Sequence, residues 1–454
     1  MGSDNKLPVI FILMEFAPVN TTGNFRSLKF IKYLGNFGIQ PIIVSFLPEE
    51  AAKIFNAKID YGLLNELPPD SIIYRIHCDN FKEYRFKKVK DFFEIYFSIK
   101  DSLAKRWKTY LFAEIGSIIK RHQPKLLFTS LPPFSSGMLT AEISEKYKIP
   151  FVLDMRDLWS HLGFAPLASI FHYWVNLKEE RKLYKLAAAV IGVTPQMIKT
   201  FHKVQPALSP DRFHYISNGF DIDLDSSEDF EYIPSKDRIV IGYTGSFYYD
   251  PERRKNTFRP WWKKRGHHML EYNPAKMDWL YRSPFFFFKA LAWLKKVNPP
   301  LVNSIRIEFI GRKPYWMDSM LKEFDLTQNF FSHGFVSYDE SLRIQEGFDI
   351  LLATSEKYIN DEHYCLPSKI FDFVGQKKPI LGFVTEGIQK EFIQKSGLGI
   401  ICDPDDTESA GEAISKLLLN GRKFKANTDY LAGFHRSHLS EQLALLFHNL
   451  VDQS

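Results

Sequence analysis

The stretch FVLDMRDLWS sets Asp154, Arg156, Asp157 and Trp159 directly after a short apolar run. Two carboxylates around an arginine at a strand end suit binding of an acceptor hydroxyl or transfer of a proton. The same residues also suit an Asp–Arg pair that only fixes the loop. A second constellation lies in LPSKIFDFVGQKKPIL. Ser368 is expected as a helix N-cap, with Lys369 in the first turn and Asp372 one turn on, on nearly the same face. A cation at a helix start opposes the dipole, so helix stability does not explain Lys369. A bound anion would offset that cost.

Further loops carry weaker signals. FAPVNTTGNFRSLKF places Gly23 and Asn24 where a helix should begin, either as an anion cradle or as a plain turn capped by Thr22. In IGYTGSFYY, Gly245 allows close backbone approach to a phosphate and Ser246 adds a donor. In EFIGRKPYW, Arg312 and Lys313 either face a diphosphate or stand solvated. Asn218-Gly219 reads as a hinge turn. In FSHGFVSYDE, Ser337 and Glu340 have capping-box spacing, and His333 reads as structural.

These loops need strands to position them. Short, continuously apolar runs at 9–14, 42–46, 72–76, 126–130, 151–154, 189–193 and 213–216 alternate with helical patterns at 25–37, 91–122, 138–147, 173–186 and 196–202. Unbroken apolar strands are expected where both faces of a parallel sheet are covered. A polar stretch, DIDLDSSEDFEYIPSKD, reads as a linker. The alternation restarts at 239–244, 305–310, 330–333, 350–353, 379–383 and 399–402, and ends in one amphipathic helix at 437–450. The fold class is α/β, with two Rossmann-like domains and a cleft between them. The expected division is 1–222, linker 223–236, 237–425, and a C-terminal segment 426–454.

The bulk properties bound the function. The chain has 454 residues and a formal charge of +6, too mild to imply nucleic acid. Its three cysteines, Cys78, Cys365 and Cys402, have no CxxC spacing, which points to a reducing compartment and to no metal site. No GxGxxG or GxxxxGK[ST] follows a strand, so the dinucleotide and P-loop readings lose their support. Neither PVIFILMEF nor PFFFFKALAWL is long enough to span a membrane. A cytoplasmic protein, peripheral at most on the inner membrane face, is expected.

Taken in order and spacing, FAPVNTTGNFRSLKFIKYLGNFG, TSLPP, DMRDLW, VTPQM, SNGFD, YTGSFY, HGFVSYDESLRIQ, LPSKIFDFVGQKKPILGF and GIICDPDD resemble the retaining GT-B glycosyltransferases of glycosyltransferase family 4, of the bacterial polysaccharide-assembly type. The resemblance implies a metal-independent transferase without cofactor. It would use a UDP- or GDP-linked sugar as donor and a glycan or lipid-linked acceptor. By motif, Gly23 and Asn24 would approach the diphosphate from the first domain, and Gly245 and Ser246 from the second. The Phe335-Val336 backbone would meet the base, Lys369 with Ser368 a phosphate, and Asp372 the ribose. Arg312 is a further donor-side cation. The acceptor side would hold Asp154 and Arg156, with Asp157 the candidate base. The final helix would cross back to the first domain. The family's paired glutamates, eight positions apart, are replaced by Tyr364 and Asp372. Its phosphate arginine is displaced by about thirty residues, which leaves Arg282 preferred and Arg253 or Arg254 as alternatives.

Two basic aromatic stretches suit either an anionic membrane surface or ordinary packing. One spans 81–111, with Lys87, Lys88, Lys90, Phe93, Tyr96, Phe97, Leu103, Arg106, Trp107 and Leu111. The other spans 251–284, with Trp261 and Trp262 beside Lys263, Lys264 and Arg265. A nucleotide-sugar 2-epimerase and a non-catalytic nucleotide-sugar binder are the alternatives to transfer.

Overall fold

The structure, a computed structural model, describes residues 6–78, 103–163, 166–224, 229–234, 238–359 and 363–453. It contains two compact units. Unit 1 comprises Met1–Asn218, Leu270–Pro274 and Arg436–Ser454; unit 2 comprises Gly219–Met269 and Ala275–His435.

Unit 1 is built on seven strands: β1 (Leu7–Leu13), β2 (Ile39–Phe46), β3 (Ile72–Ile76), β4 (Leu126–Leu131), β5 (Phe151–Met155), β6 (Ala189–Gly192) and β7 (Phe213–Tyr215). They pair in parallel in the order β3-β2-β1-β4-β5-β6-β7. Every residue of β4 and β5 is buried, as their unbroken apolar runs require. Helices α1 (Thr22–Leu34), α2 (Leu103–His122), α3 (Ser135–Tyr147) and α4 (Ile170–Leu186) are among those of this unit. The C-terminal helix Arg436–Asp452 packs on α1, and its Phe447 meets the edges of Phe11 and Phe128 at 6.2 and 5.8 Å.

Local caps move several helix starts. Thr21, not Thr22, stands at the N-cap of α1, and it makes no side-chain cap hydrogen bond. Helix α4 begins three residues before the apolar periodicity does, because the Ser169 side chain accepts from His172 N. Trp107, Leu111, Ile115 and Ile118 of α2 are buried, so this part of the first basic aromatic stretch faces the core. Its residues 79–102, including Lys87, Lys88, Lys90, Phe93, Tyr96 and Phe97, lie outside the described residues.

Unit 2 has six parallel strands: β8 (Ile239–Thr244), β9 (Ile305–Ile310), β10 (Phe330–Gly334), β11 (Ile350–Thr354), β12 (Ile380–Phe383) and β13 (Gly399–Cys402), in the order β10-β9-β8-β11-β12-β13. Its helices include α5 (Pro251–Phe258), α6 (Phe285–Val297) and α7 (Lys369–Asp372). The FFFF run belongs to α6, where Phe287 and Phe288 are wholly buried in the core. Among the described residues no helix is long and apolar enough to cross a membrane. The expected linker is partly a strand, since Phe230–Tyr232 pairs antiparallel with Arg422–Phe424. Leu270–Pro274 falls in unit 1, where Leu167 and Tyr272 exchange backbone hydrogen bonds of 2.8 and 3.0 Å.

Candidate active site

In unit 2, β8 has β9 on one side and β11 on the other, so the crossover direction reverses at β8. Ligands in such sheets sit beyond the carboxyl ends of the strands at that reversal. Three glycines finish the strands there. Gly245 (φ 115°) donates its N–H to Ile310 O at 2.8 Å, and Gly311 (φ 150°) donates to Gly334 O at 2.8 Å. A Cβ on Gly311 would lie 2.3 Å from Gly245 O, so no larger residue fits.

Two cations face this end of the sheet. Lys369 Nζ donates to Thr244 O at 3.1 Å and stands 3.6 Å from the Tyr243 ring centroid. Burial, then the Arg282 charge, push its ammonium well below the ordinary lysine pKa, against the pull of Glu356. Arg282 is 7% exposed, with its guanidinium 5.2 and 5.7 Å from the Tyr248 and Trp279 ring centroids. Thr354 Oγ1 donates to Arg282 O at 3.0 Å, and Arg282 Nη1 donates to Glu356 Oε2 at 3.1 Å. Glu356 has no exposed surface. Burial pushes its carboxyl up, but Arg282 and His363 outweigh it and hold the pKa at about 2. His363 Nε2 lies 3.2 Å from Glu356 Oε1, within ion-pair distance but without hydrogen-bonding geometry. The His363 main chain is clamped to the 386–388 turn through Glu386 O and Ile388 N.

The expected site residues therefore separate. Arg282, Lys369 and the Gly245 loop come together. Ser368 is exposed and helical (φ −56°, ψ −31°) and makes no cap bond, so the expected N-cap is absent, and α7 is four residues long. Asp372 is half-buried at the end of α7. Ser246 and Arg312 are exposed, and Lys313 pairs with Asp318 at 2.9 Å. Phe335 is 73% exposed and Val336 half-buried. The alternative cation Arg254 is taken up by Asp278 through two 2.7 Å hydrogen bonds, and Arg253 is exposed. Ser337 caps its helix by accepting from Glu340 N at 3.3 Å, and His333 pairs with Glu308 at 2.6 Å.

In unit 1, Asp154 is wholly buried. It accepts from Arg26 at 2.8 Å and from Ser130 Oγ at 2.7 Å, so it fixes the strand ends and presents no surface to a ligand. Arg156 pairs with Glu15 at 2.8 Å. Gly23 makes room for that pair, since a Cβ there would lie 1.6 Å from Arg156 Nη1. Asn24 is buried and donates to Val19 O at 2.9 Å. Burial, with a part from Glu15, raises the Asp157 pKa against the effect of Arg156, as suits a group that exchanges protons. Trp159 stacks on Phe134 at 4.9 Å. Sequence reasoning passed over Glu15, Arg26, Glu356 and His363. The signal for Glu15 and Glu356 was an acid within two residues of a buried apolar strand.

Residues 77–224 match the profile of Glycosyltransferase Family 4. Along nearly the whole chain the fold is similar to that of Anabaena HepE solved with UDP-glucose (TM-score 0.52, 11% identity, 98% of each chain covered). It is also similar to WaaG, a glycosyltransferase involved in lipopolysaccharide biosynthesis (TM-score 0.51, 13% identity, 96% of this chain and 99% of that chain). The fold is of the GT-B glycosyltransferase type, and residues 77–224 match the family 4 profile. The UDP-GlcNAc 2-epimerase of Methanocaldococcus jannaschii has the same architecture (TM-score 0.51, 12% identity, 98% of this chain and all of that chain). No curated protein sequence matches the chain. Among the described residues no group of His, Cys, Asp or Glu is arranged to hold a metal ion.

Proposed function

We propose that the protein transfers a sugar, with retention, from a UDP- or GDP-linked donor to a glycan or lipid-linked acceptor in surface-polysaccharide assembly. The observation that carries this reading is the Arg282–Lys369 pair at the carboxyl end of the unit 2 sheet. Two cations there exceed the single buried carboxylate of Glu356 beside them. As the glycosidic bond breaks, charge grows on the leaving diphosphate, and fixed cations with the Gly245 loop lower the barrier. The two side chains take the place of a divalent ion, so transfer is proposed as metal-independent. Asp372 is assigned to the ribose hydroxyls and the Phe335-Val336 backbone to the base. With retention, the leaving phosphate itself accepts the acceptor proton. Arg156 and Asp157 of unit 1 are assigned to the acceptor, Asp157 as the group able to share its proton.

A cytoplasmic location, peripheral to an anionic membrane surface, is part of the proposal. It rests on the exposed Trp261 and Trp262 and their basic neighbours. Epimerisation is the second reading, favoured by the Glu15–Arg156–Asp157 cluster as an acid–base set. Incubation with a panel of UDP- and GDP-sugars separates the readings. Release of free nucleotide is expected. Epimer without release establishes the second reading, and binding with neither leaves a nucleotide-sugar binder.

A further inference from the structure

An acid beside a phosphate site weakens anion binding, so Glu356 needs a reason to be there. It is wholly buried and meets Arg282 Nη1 at 3.1 Å. Its other oxygen faces His363 Nε2 at 3.2 Å. Replacing such a pair by apolar groups is often neutral or stabilising, so stability alone does not account for it. Arg282 is otherwise held only loosely in direction. Ring faces at 5.2 and 5.7 Å allow the guanidinium to slide, and its Nε is buried with no hydrogen-bond partner among the described residues. Among the described residues its guanidinium hydrogen-bonds to Glu356. The His363 ring stands 3.2 Å from that carboxylate, and the turn at 386–388 clamps the His363 backbone.

We infer that Glu356, backed by His363, is a positioning residue that aims Arg282 at the diphosphate of a nucleoside-diphosphate donor, at the expense of affinity for free anions. The inference rests on the reading that unit 2 binds such a donor. A tethered diphosphate is located by its base and ribose, so it needs the cation in one place. Free pyrophosphate follows the cation wherever it lies, and it gains when a neighbouring negative charge is removed.

The test is the ratio of pyrophosphate to nucleoside-diphosphate dissociation constants, measured by calorimetry at one ionic strength for wild type and Glu356→Gln. UDP and GDP are both offered, and the tighter is used. The expected result is roughly tenfold weaker nucleoside-diphosphate binding with pyrophosphate unchanged or tighter, so that the ratio collapses. Equal weakening of both ligands assigns Glu356 a purely structural role and overturns the inference. Unchanged binding of both does the same. Glu356→Asp keeps the charge on a shorter arm and serves if the glutamine variant does not fold. It should weaken the nucleotide without tightening pyrophosphate. A wild type that binds neither UDP nor GDP sinks the donor reading itself, which no outcome with the variants can do.

Discussion

Lys369 gives up part of its solvent for a ring face and a carbonyl, and that exchange decides what its removal should do. Burial lowers its pKa, so the unfolded chain binds more protons between that lowered value and 10.5. Wild type should therefore gain stability as pH rises through this window, and Lys369→Met should lack that gain while melting no lower at neutral pH. Donor affinity should move the other way. A hydrogen bond to a charged group contributes about 1.5–3 kcal/mol, so the variant should bind UDP or GDP roughly 10- to 100-fold more weakly. Melting curves with calorimetry check both, and a fall in stability that parallels the affinity would make Lys369 structural. Glu356 gives a slope of the same sign, but in an acid window. Its carboxyl is held at about 2, so its contribution is present above 4.5 and is lost as pH falls toward 2. Denaturation series should show wild type losing stability over that range and Glu356→Gln losing less. The sequence raised Lys369 through an argument about a helix start. In the structure the helix is a single turn, and Thr244 O and Tyr243 hold the ammonium instead. Glu356 was marked only by its place two residues after β11, and His363 was not legible, because no periodicity assigns a direction to its side chain.

The strands were legible almost residue by residue, because a short apolar run bounded by polar turns leaves few alternatives. Strands β3, β8, β9 and β13 begin and end where the runs do. Helix starts were less so, since they depend on single side chains such as Ser169 and on whether a serine at position 368 takes extended or helical angles. What the sequence did mark is the glycine at the end of β8. Gly245 has φ 115°, where an L side chain is strained, yet a Cβ would meet nothing nearer than Lys369 at 3.8 Å. Gly245→Ala should therefore act through the backbone and not through a clash. A strained residue costs of order 1–3 kcal/mol, and relaxing it would displace Thr244 O from Lys369. The expected outcome is a lower melting temperature together with weaker nucleoside-diphosphate binding. A variant that melts lower but binds as wild type would show that the loop backbone does not touch the phosphates.

The whole molecule carries a charge of +6, but that charge is unevenly spread. Residues 253–270 hold seven basic side chains, Arg253, Arg254, Lys255, Arg259, Lys263, Lys264 and Arg265, and no acidic one. Arg254 is taken up by Asp278, which leaves six to act on the surroundings. Within the same stretch Phe258, Trp261, Trp262, Met269 and Leu270 are 41%, 67%, 64%, 50% and 71% exposed. Apolar side chains of this size are normally exposed singly, so five in one basic stretch suit the headgroup region of an anionic bilayer. Each lysine or arginine near such a surface contributes about 1 kcal/mol, and the effect is screened by salt. Replacing Lys263, Lys264 and Arg265 by glutamine should then cut partitioning onto phosphatidylglycerol vesicles by roughly 100-fold at low salt. High salt should erase most of the difference between the variant and wild type. Trp261→Ala with Trp262→Ala removes apolar contact and no charge, so its loss of binding should persist at high salt. Flotation of both variants separates the two contributions, and vesicle binding equal to wild type in both would remove this stretch as a membrane contact.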